Sequence, residues 1–178
     1  MQFLSPLLQS SWALSTPLTG LDKSLANLLQ SKQASDDPRH LWLAALTSHQ
    51  WGRGHACLDL ATLATQTAAL LGWTEEQTAA LPADLCAAAA SLPWTQGDAS
   101  PLVLVDDPQG ARLYLRRAWT AEQSIRQNIA QRLALPCEVP ADLQQRLDEL
   151  FSKTGHDAPD MQRLACEVAA QNRITLIT

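Results

Sequence analysis

Leu102-Val103-Leu104-Val105-Asp106-Asp107-Pro108-Gln109-Gly110-Ala111-Arg112-Leu113-Tyr114-Leu115 is the stretch on which the fold turns. Leu102 to Val105 is an apolar, partly β-branched run of strand length. Asp107-Pro108-Gln109-Gly110 suits a type I turn, with Asp at the first position, Pro where φ must be near its fixed value, and Gly at the fourth. Beyond the turn Ala111, Leu113 and Leu115 alternate with Arg112, Tyr114 and Arg116, the period of a strand with one buried face. These two strands form a β-hairpin. The surrounding sequence is mostly of helical period, so the expected class is α+β, mainly α-helical, with one hairpin.

Upstream, Leu21, Leu25, Leu28 and Leu29 follow an i, i+4, i+7, i+8 spacing that predicts an amphipathic helix. Asp36-Asp37-Pro38 is a helix-start signal, and Leu41 to Leu46 is apolar all round, as in a central buried helix. Gln50-Trp51-Gly52-Arg53-Gly54 predicts a turn. Cys57-Leu58-Asp59-Leu60 leads into a helix with Leu63, Leu70 and Leu71. The Ala-rich segment from Glu75 to Leu92 predicts short helices split at Pro82, and Pro93 to Pro101 a loop. Downstream, Thr120-Ala121-Glu122-Gln123 matches a capping box opening a helix with Ile125, Ile129 and Leu133 on one stripe. Pro136 and Pro140 bracket a break before a stripe of Leu143, Leu147, Leu150 and Phe151. Met161, Leu164, Ala165 and Val168 mark a last helix. Ile174-Thr175-Leu176-Ile177-Thr178 then reads as a buried strand, expected to be the first of a sheet continued beyond residue 178.

The 178 residues suffice for one domain, or a domain with part of another. No apolar run of membrane-spanning length occurs, and Met1-Gln2-Phe3-Leu4-Ser5-Pro6 lacks the basic start of a signal peptide, so a cytoplasmic protein with no membrane partner is expected. Cys57, Cys86, Cys137 and Cys166 are far apart and form no C-x-x-C, which favours plain thiols over disulfides or zinc. A net charge of −5 argues against an autonomous nucleic-acid binder, because such binding rests on neutralising phosphates. Six tryptophans stand against one tyrosine and two phenylalanines. Tryptophan suits cores and interfaces alike.

Three groups of residues carry candidate chemistry. His49, His55 and Cys57 lie near one another in sequence, but no second Cys/His cluster completes a four-ligand set, so no metal site is expected. A hydrolase using Cys57 and His55 would also need an orienting group and an oxyanion pocket. No catalytic residue is expected. Arg112, Arg116 and Arg117, with Tyr114 and Trp119, form the best nucleic-acid candidate, since guanidinium groups and aromatic rings suit phosphates and stacked bases. The same residue types also suit an exposed hairpin face or a protein interface.

Met161-Gln162-Arg163-Leu164-Ala165-Cys166-Glu167-Val168-Ala169-Ala170-Gln171-Asn172-Arg173-Ile174-Thr175-Leu176-Ile177-Thr178 resembles the segment just before the Walker A loop of exodeoxyribonuclease V alpha (RecD) subunits. Leu43-Ala44-Ala45-Leu46 with Ser48-His49 and Gly54-His55-Ala56-Cys57-Leu58-Asp59-Leu60 is similar to them, as is Arg112-Leu113-Tyr114-Leu115-Arg116-Arg117-Ala118-Trp119 with Glu122. The resemblance implies an N-terminal subunit-docking module over residues 1–117. Residues 118–178 would be a helical lead-in and the first strand of a RecA-like motor. It implies an intact ATP-driven 5′→3′ DNA helicase subunit working with beta and gamma subunits in double-strand-break repair. ATP and Mg²⁺ would be its cofactors, with DNA engaged by the downstream motor. Gln162 would read the adenine, because its amide both donates and accepts. The residues present contain no G-x-x-x-x-G-K-[ST] loop, so no cofactor and no catalysis are expected of them alone. The competing class is a stand-alone protein-interaction module with no motor.

Overall fold

The computed structural model describes residues 18–79, 81–151 and 160–178. The chain divides into two units, Met1–Glu122 and Gln123–Thr178.

The first unit is built around one helix. Helix α1 spans Gly20–Lys32 and α2 spans His40–Gly52. All residues of α2 from His40 to Gln50 are buried, as the unbroken apolar run predicts. Its hydroxyls are reconciled with the interior locally: Thr47 Oγ1 donates to the Leu43 carbonyl at 2.7 Å. The chain enters α2 through Asp37, whose carboxylate accepts from the Arg39 amide and guanidinium. That guanidinium holds the Asp37 carboxyl below the usual carboxylate range.

Helix α1 packs on α2 with a face rotated from the expected leucine stripe. Asp22, Ala26 and Leu29 are buried, whereas Leu21 is 75% exposed and Leu28 lies outside. The cause is local. Thr19 and Asp22 form a reciprocal capping box, with the Asp22 amide donating to Thr19 Oγ1 and the Thr19 amide donating to Asp22 Oδ2 at 2.8 Å. A carboxylate so satisfied can be buried, and it sets which face turns inward.

Strands β1 (Leu58–Asp59), β2 (Leu102–Asp107) and β3 (Gly110–Leu115) form an antiparallel sheet in the order β1-β3-β2. The hairpin is as expected, with Leu102 opposite Leu115 and Asp107 opposite Gly110. Gly110 takes φ +113, a conformation in which a side chain would be strained. Strand β1 is an addition to the expected single hairpin, pairing Leu58 with Leu113 and Asp59 with Arg112. Two residues are too few to carry a periodic signal, which is why sequence did not show it. Tyr114 is a correction too. It was expected on the exposed face and is buried.

Helix α3 (Leu60–Leu71) starts on the Asp59 carboxylate, which accepts from the Thr62 amide at 2.7 Å, and kinks at Gln66. The short helices α4 (Glu75–Thr78) and α5 (Leu85–Ala90) and a 3₁₀ turn at Pro93–Thr95 close the unit. Trp73 meets Trp42 edge-on at 5.1 Å between centroids, and the Trp94 indole N–H donates to the Gln33 carbonyl at 2.8 Å. Each fully buried leucine of this core, such as Leu43, Leu46, Leu63 and Leu113, stabilises it by roughly 1.5–3 kcal/mol.

Helix α6 covers Arg116–Ala134 and contains the division between units. It opens directly out of β3, so Thr120 lies inside the helix and the expected capping box does not form. Its Ile125, Ile129 and Leu133 stripe is exposed. In the second unit α7 (Leu143–Leu150) and α8 (Met161–Gln171) pack together. Leu143 and Leu147 are buried, and Arg163 reaches both Gln144 and Asp148. The Arg173 guanidinium donates to the Pro136 carbonyl.

The run Ile174–Thr178 forms no strand. Leu176 is 90% exposed and Ile177 is 69% exposed. A strand needs ladder partners for its amides, and among the described residues none lies beside it. Among those residues, too, no helix is long and apolar enough to cross a membrane.

Candidate functional site

The capping box that turns Asp22 inward also brings its carboxylate to α2. His49 Nδ1 lies 3.5 Å from Asp22 Oδ2, and both side chains are almost fully enclosed, at 3% and 7% exposure for Asp22 and His49. His49 Nε2 is buried with no hydrogen-bond partner among the described residues.

This pair sits against a cleft of about 640 Å³ in the first unit. Leu21 and Leu25 of α1 line it, with Trp51 and Arg53 at the end of α2, and Leu115, Arg116 and Arg117 where β3 runs into α6. Helix α2 extends to Gly52, so the expected turn over 50–54 begins only at Arg53, and Gly54 supplies the left-handed residue at φ +87. That extra helical turn holds Trp51 on the surface, 37% exposed, beneath the Arg117 guanidinium at 5.0 Å. Cation–π contact of this kind contributes about 0.5–1 kcal/mol at an exposed site.

The three arginines singled out in the sequence have different tasks. Arg112 is paired with Asp107 on its own hairpin and also reaches Gln109. Arg116 ties down the loop before β2, donating to the Ser100 carbonyl at 2.8 Å, to Ser100 Oγ at 2.6 Å and to the Gly97 carbonyl. Its guanidinium also lies 5.6 Å from the Trp119 ring centroid. Arg117 is exposed and faces the cleft. Tyr114 lies in the core and joins no basic surface.

Cys57 and Tyr114 are neighbours. Burial pushes the Cys57 thiol up, with the Tyr114 hydroxyl partly opposing that shift. Tyr114 is pushed up to about 12 by burial, with Cys57 adding to the effect. A thiol held protonated is a poor nucleophile. His55 is exposed, and among the described residues no group of three His, Cys, Asp or Glu could hold a metal ion.

Of the five tryptophans before residue 118, Trp42, Trp73 and Trp94 are core residues. Trp12 lies outside the described residues. Trp51 is the one described tryptophan of that group at the surface. Gln162 lies in the first turn of α8 with its side chain exposed, and its backbone N–H donates to the Asp160 carboxylate.

The sequence reading missed Asp22, His49 as its partner, and Arg53. The signal for Asp22 was present: Thr19-Gly20-Leu21-Asp22 has capping-box spacing, with Asp in place of the usual Glu or Gln.

A two-stranded hairpin joined by a short third strand, laid on a helix buried from His40 to Gln50, places the chain among mainly helical α+β modules. Its family is defined by comparison. The family model described as RecBCD enzyme subunit RecD, N-terminal domain, matches residues 15–114, more than half of the chain, and the chain belongs to that family. A comparison with curated proteins gives no match.

Proposed function

We propose that this chain is the N-terminal region of a RecD subunit and that its first unit docks the subunit into the RecBCD enzyme. The observation that carries the reading is the match over residues 15–114, which falls wholly within the first unit. The match names a subunit of an assembly. The geometry supports docking over independent DNA binding. Arg112 and Arg116 hold the hairpin and its flanking loop, which leaves Arg117 as the outward member of the three candidates.

In this reading the intact subunit is an ATP-dependent 5′→3′ helicase that acts with beta and gamma subunits on double-strand ends in the cytoplasm. The gamma subunit is the principal docking partner. The residues present fit only the base of ATP: the exposed Gln162 amide offers a donor and an acceptor to an adenine edge. They include no glycine-rich loop for phosphates, and Mg²⁺ would be held elsewhere in the subunit. The chain alone therefore hydrolyses no ATP. In the intact subunit Gln162→Ala raises KM for ATP and leaves a nucleotide without an adenine base much less affected. Equal effects on both would remove adenine reading from Gln162.

The test of docking is deletion of Met1–Glu122 from the intact subunit. Loss of co-purification with beta and gamma subunits, with some DNA-stimulated ATPase kept, is expected. Normal assembly of the truncated subunit would place docking elsewhere.

A further inference from the structure

We infer that the cleft between α1, the end of α2 and the start of α6 is the seat for an acidic peptide segment that carries one large apolar side chain. The inference rests on the docking reading and adds to it the place and chemistry of the contact.

Two features of the cleft set the occupant. Its walls include Leu21, Leu25, Trp51 and Leu115, enough apolar surface to enclose one leucine-sized or aromatic side chain. Its rim carries Arg53, Arg116 and Arg117 in a chain whose net charge is −5. Arg116, committed to the Ser100 and Gly97 contacts, contributes a fixed positive charge, and the exposed Arg117 is oriented toward the cleft by the Trp51 ring. Pre-set cations of this kind suit carboxylates, because little side-chain freedom is lost on contact.

A third observation is independent of charge and shape. His49 lines the same cleft, more than nine-tenths buried, with Nε2 lacking a partner among the described residues. An unpaired buried ring nitrogen costs free energy. The Asp22 carboxylate beside Nδ1 can only accept, which leaves Nε2 of the neutral ring as an acceptor that a backbone amide of an incoming segment would satisfy. The occupant is thus a peptide rather than a nucleic acid. The aromatic surface is one ring already covered by Arg117, which leaves no open face for a stacked base. Residues 1–17 of the chain itself contain no acidic residue, so they lack the charge the rim selects.

The test uses the 178-residue chain and fluorescein-labelled five-residue peptides with a central Leu, Ile, Phe or Trp flanked on both sides by Asp and Glu. Fluorescence anisotropy is expected to show saturable binding to at least one acidic peptide. A central Ser, or Arg117→Glu in the chain, weakens it at least tenfold. Peptides with Lys in place of the acidic residues do not bind, and Arg126→Glu on the exposed part of α6 changes nothing.

No saturable binding by any acidic peptide, or equal binding to the Arg117→Glu chain, would overturn the inference. Tighter binding after removal of residues 1–17 would show that the chain's own N-terminal segment takes the cleft, and would overturn it too. A circular-dichroism spectrum of Arg117→Glu matching the parent keeps the comparison valid, and should that variant fail to fold, the Ser-centred peptides decide alone. If these peptides fail while deletion of Met1–Glu122 still abolishes assembly, docking stands and only its seat is wrong. If assembly survives that deletion, the docking reading itself falls.

Discussion

His40 joins two loops that are distant in the chain. Its Nδ1 lies 2.6 Å from Ser35 Oγ and its Nε2 lies 3.3 Å from Ser91 Oγ. Burial lowers its pKa from the ordinary 6.5, with Asp37 opposing the shift and Arg39 adding to it. The unfolded chain therefore takes up this proton first as pH falls. Stability contributed by the neutral ring is complete above about pH 6.5 and is lost as pH falls through that value toward the folded one. Urea unfolding of the chain from about pH 7.5 to about pH 5 is expected to show a decline that His40→Gln reduces. Identical pH slopes in the two proteins would contradict this account of His40. The tryptophans sort on the same scale. Trp94→Ala is expected to cost about 3–5 kcal/mol, because it opens a core cavity and strands the Gln33 carbonyl. Trp51→Ala is expected to cost about 1 kcal/mol or less, since a half-open ring under Arg117 is all that is lost. Similar losses for both in urea titrations would erase the distinction between core and surface tryptophans.

Helix starts show how local chemistry decides an element. Thr19 and Thr120 both head capping-box sequences, but only Thr19 caps a helix. Thr19→Ala is expected to cost about 1 kcal/mol and Thr120→Ala about 0.5 kcal/mol or less, measured by urea unfolding. Comparable losses would mean that α6 opens at Thr120 in solution. The difference arises because β3 hands its last residue straight to α6, with the Arg116 amide donating to the Pro101 carbonyl at 2.8 Å. That contact spans the hairpin and cannot be read from a local pattern. The same division runs through the rest of the chain. The hairpin, the buried helix over Leu41–Leu46 and the breaks at Pro82, Pro136 and Pro140 were legible, because period and punctuation fix them locally. The α1 face was misread, since the leucine count ignored a carboxylate that its own cap makes buriable. Strand β1 and the burial of Tyr114 depend on partners far away in sequence. Of the candidate site, Arg117 was visible as a residue type, whereas the cleft it borders is assembled from segments nearly a hundred positions apart and left no local signal.

The acidic balance of the whole chain frames its function. A net charge of −5 sits with a basic rim confined to Arg53, Arg116 and Arg117 around one cleft. Charge so placed gives specificity and orientation toward an acidic partner more than general affinity for polyanions. The first unit holds nearly all of the buried apolar residues, and it is also the part that the RecD N-terminal family model covers. A buried core of its own, with a cleft that joins apolar walls to a basic rim, suits a docking module. The second unit, with Gln162 on α8, is proposed to lead toward nucleotide chemistry in the intact subunit. Docking by the first unit is read out by hydrogen–deuterium exchange. The chain is compared alone and after mixing with purified beta and gamma subunits. A stable complex is expected, with slowed exchange in the first unit that is greatest at Leu21–Leu25, Trp51–Gly54 and Arg116–Ala118. No complex, or protection confined to Gln123–Thr178, would contradict it.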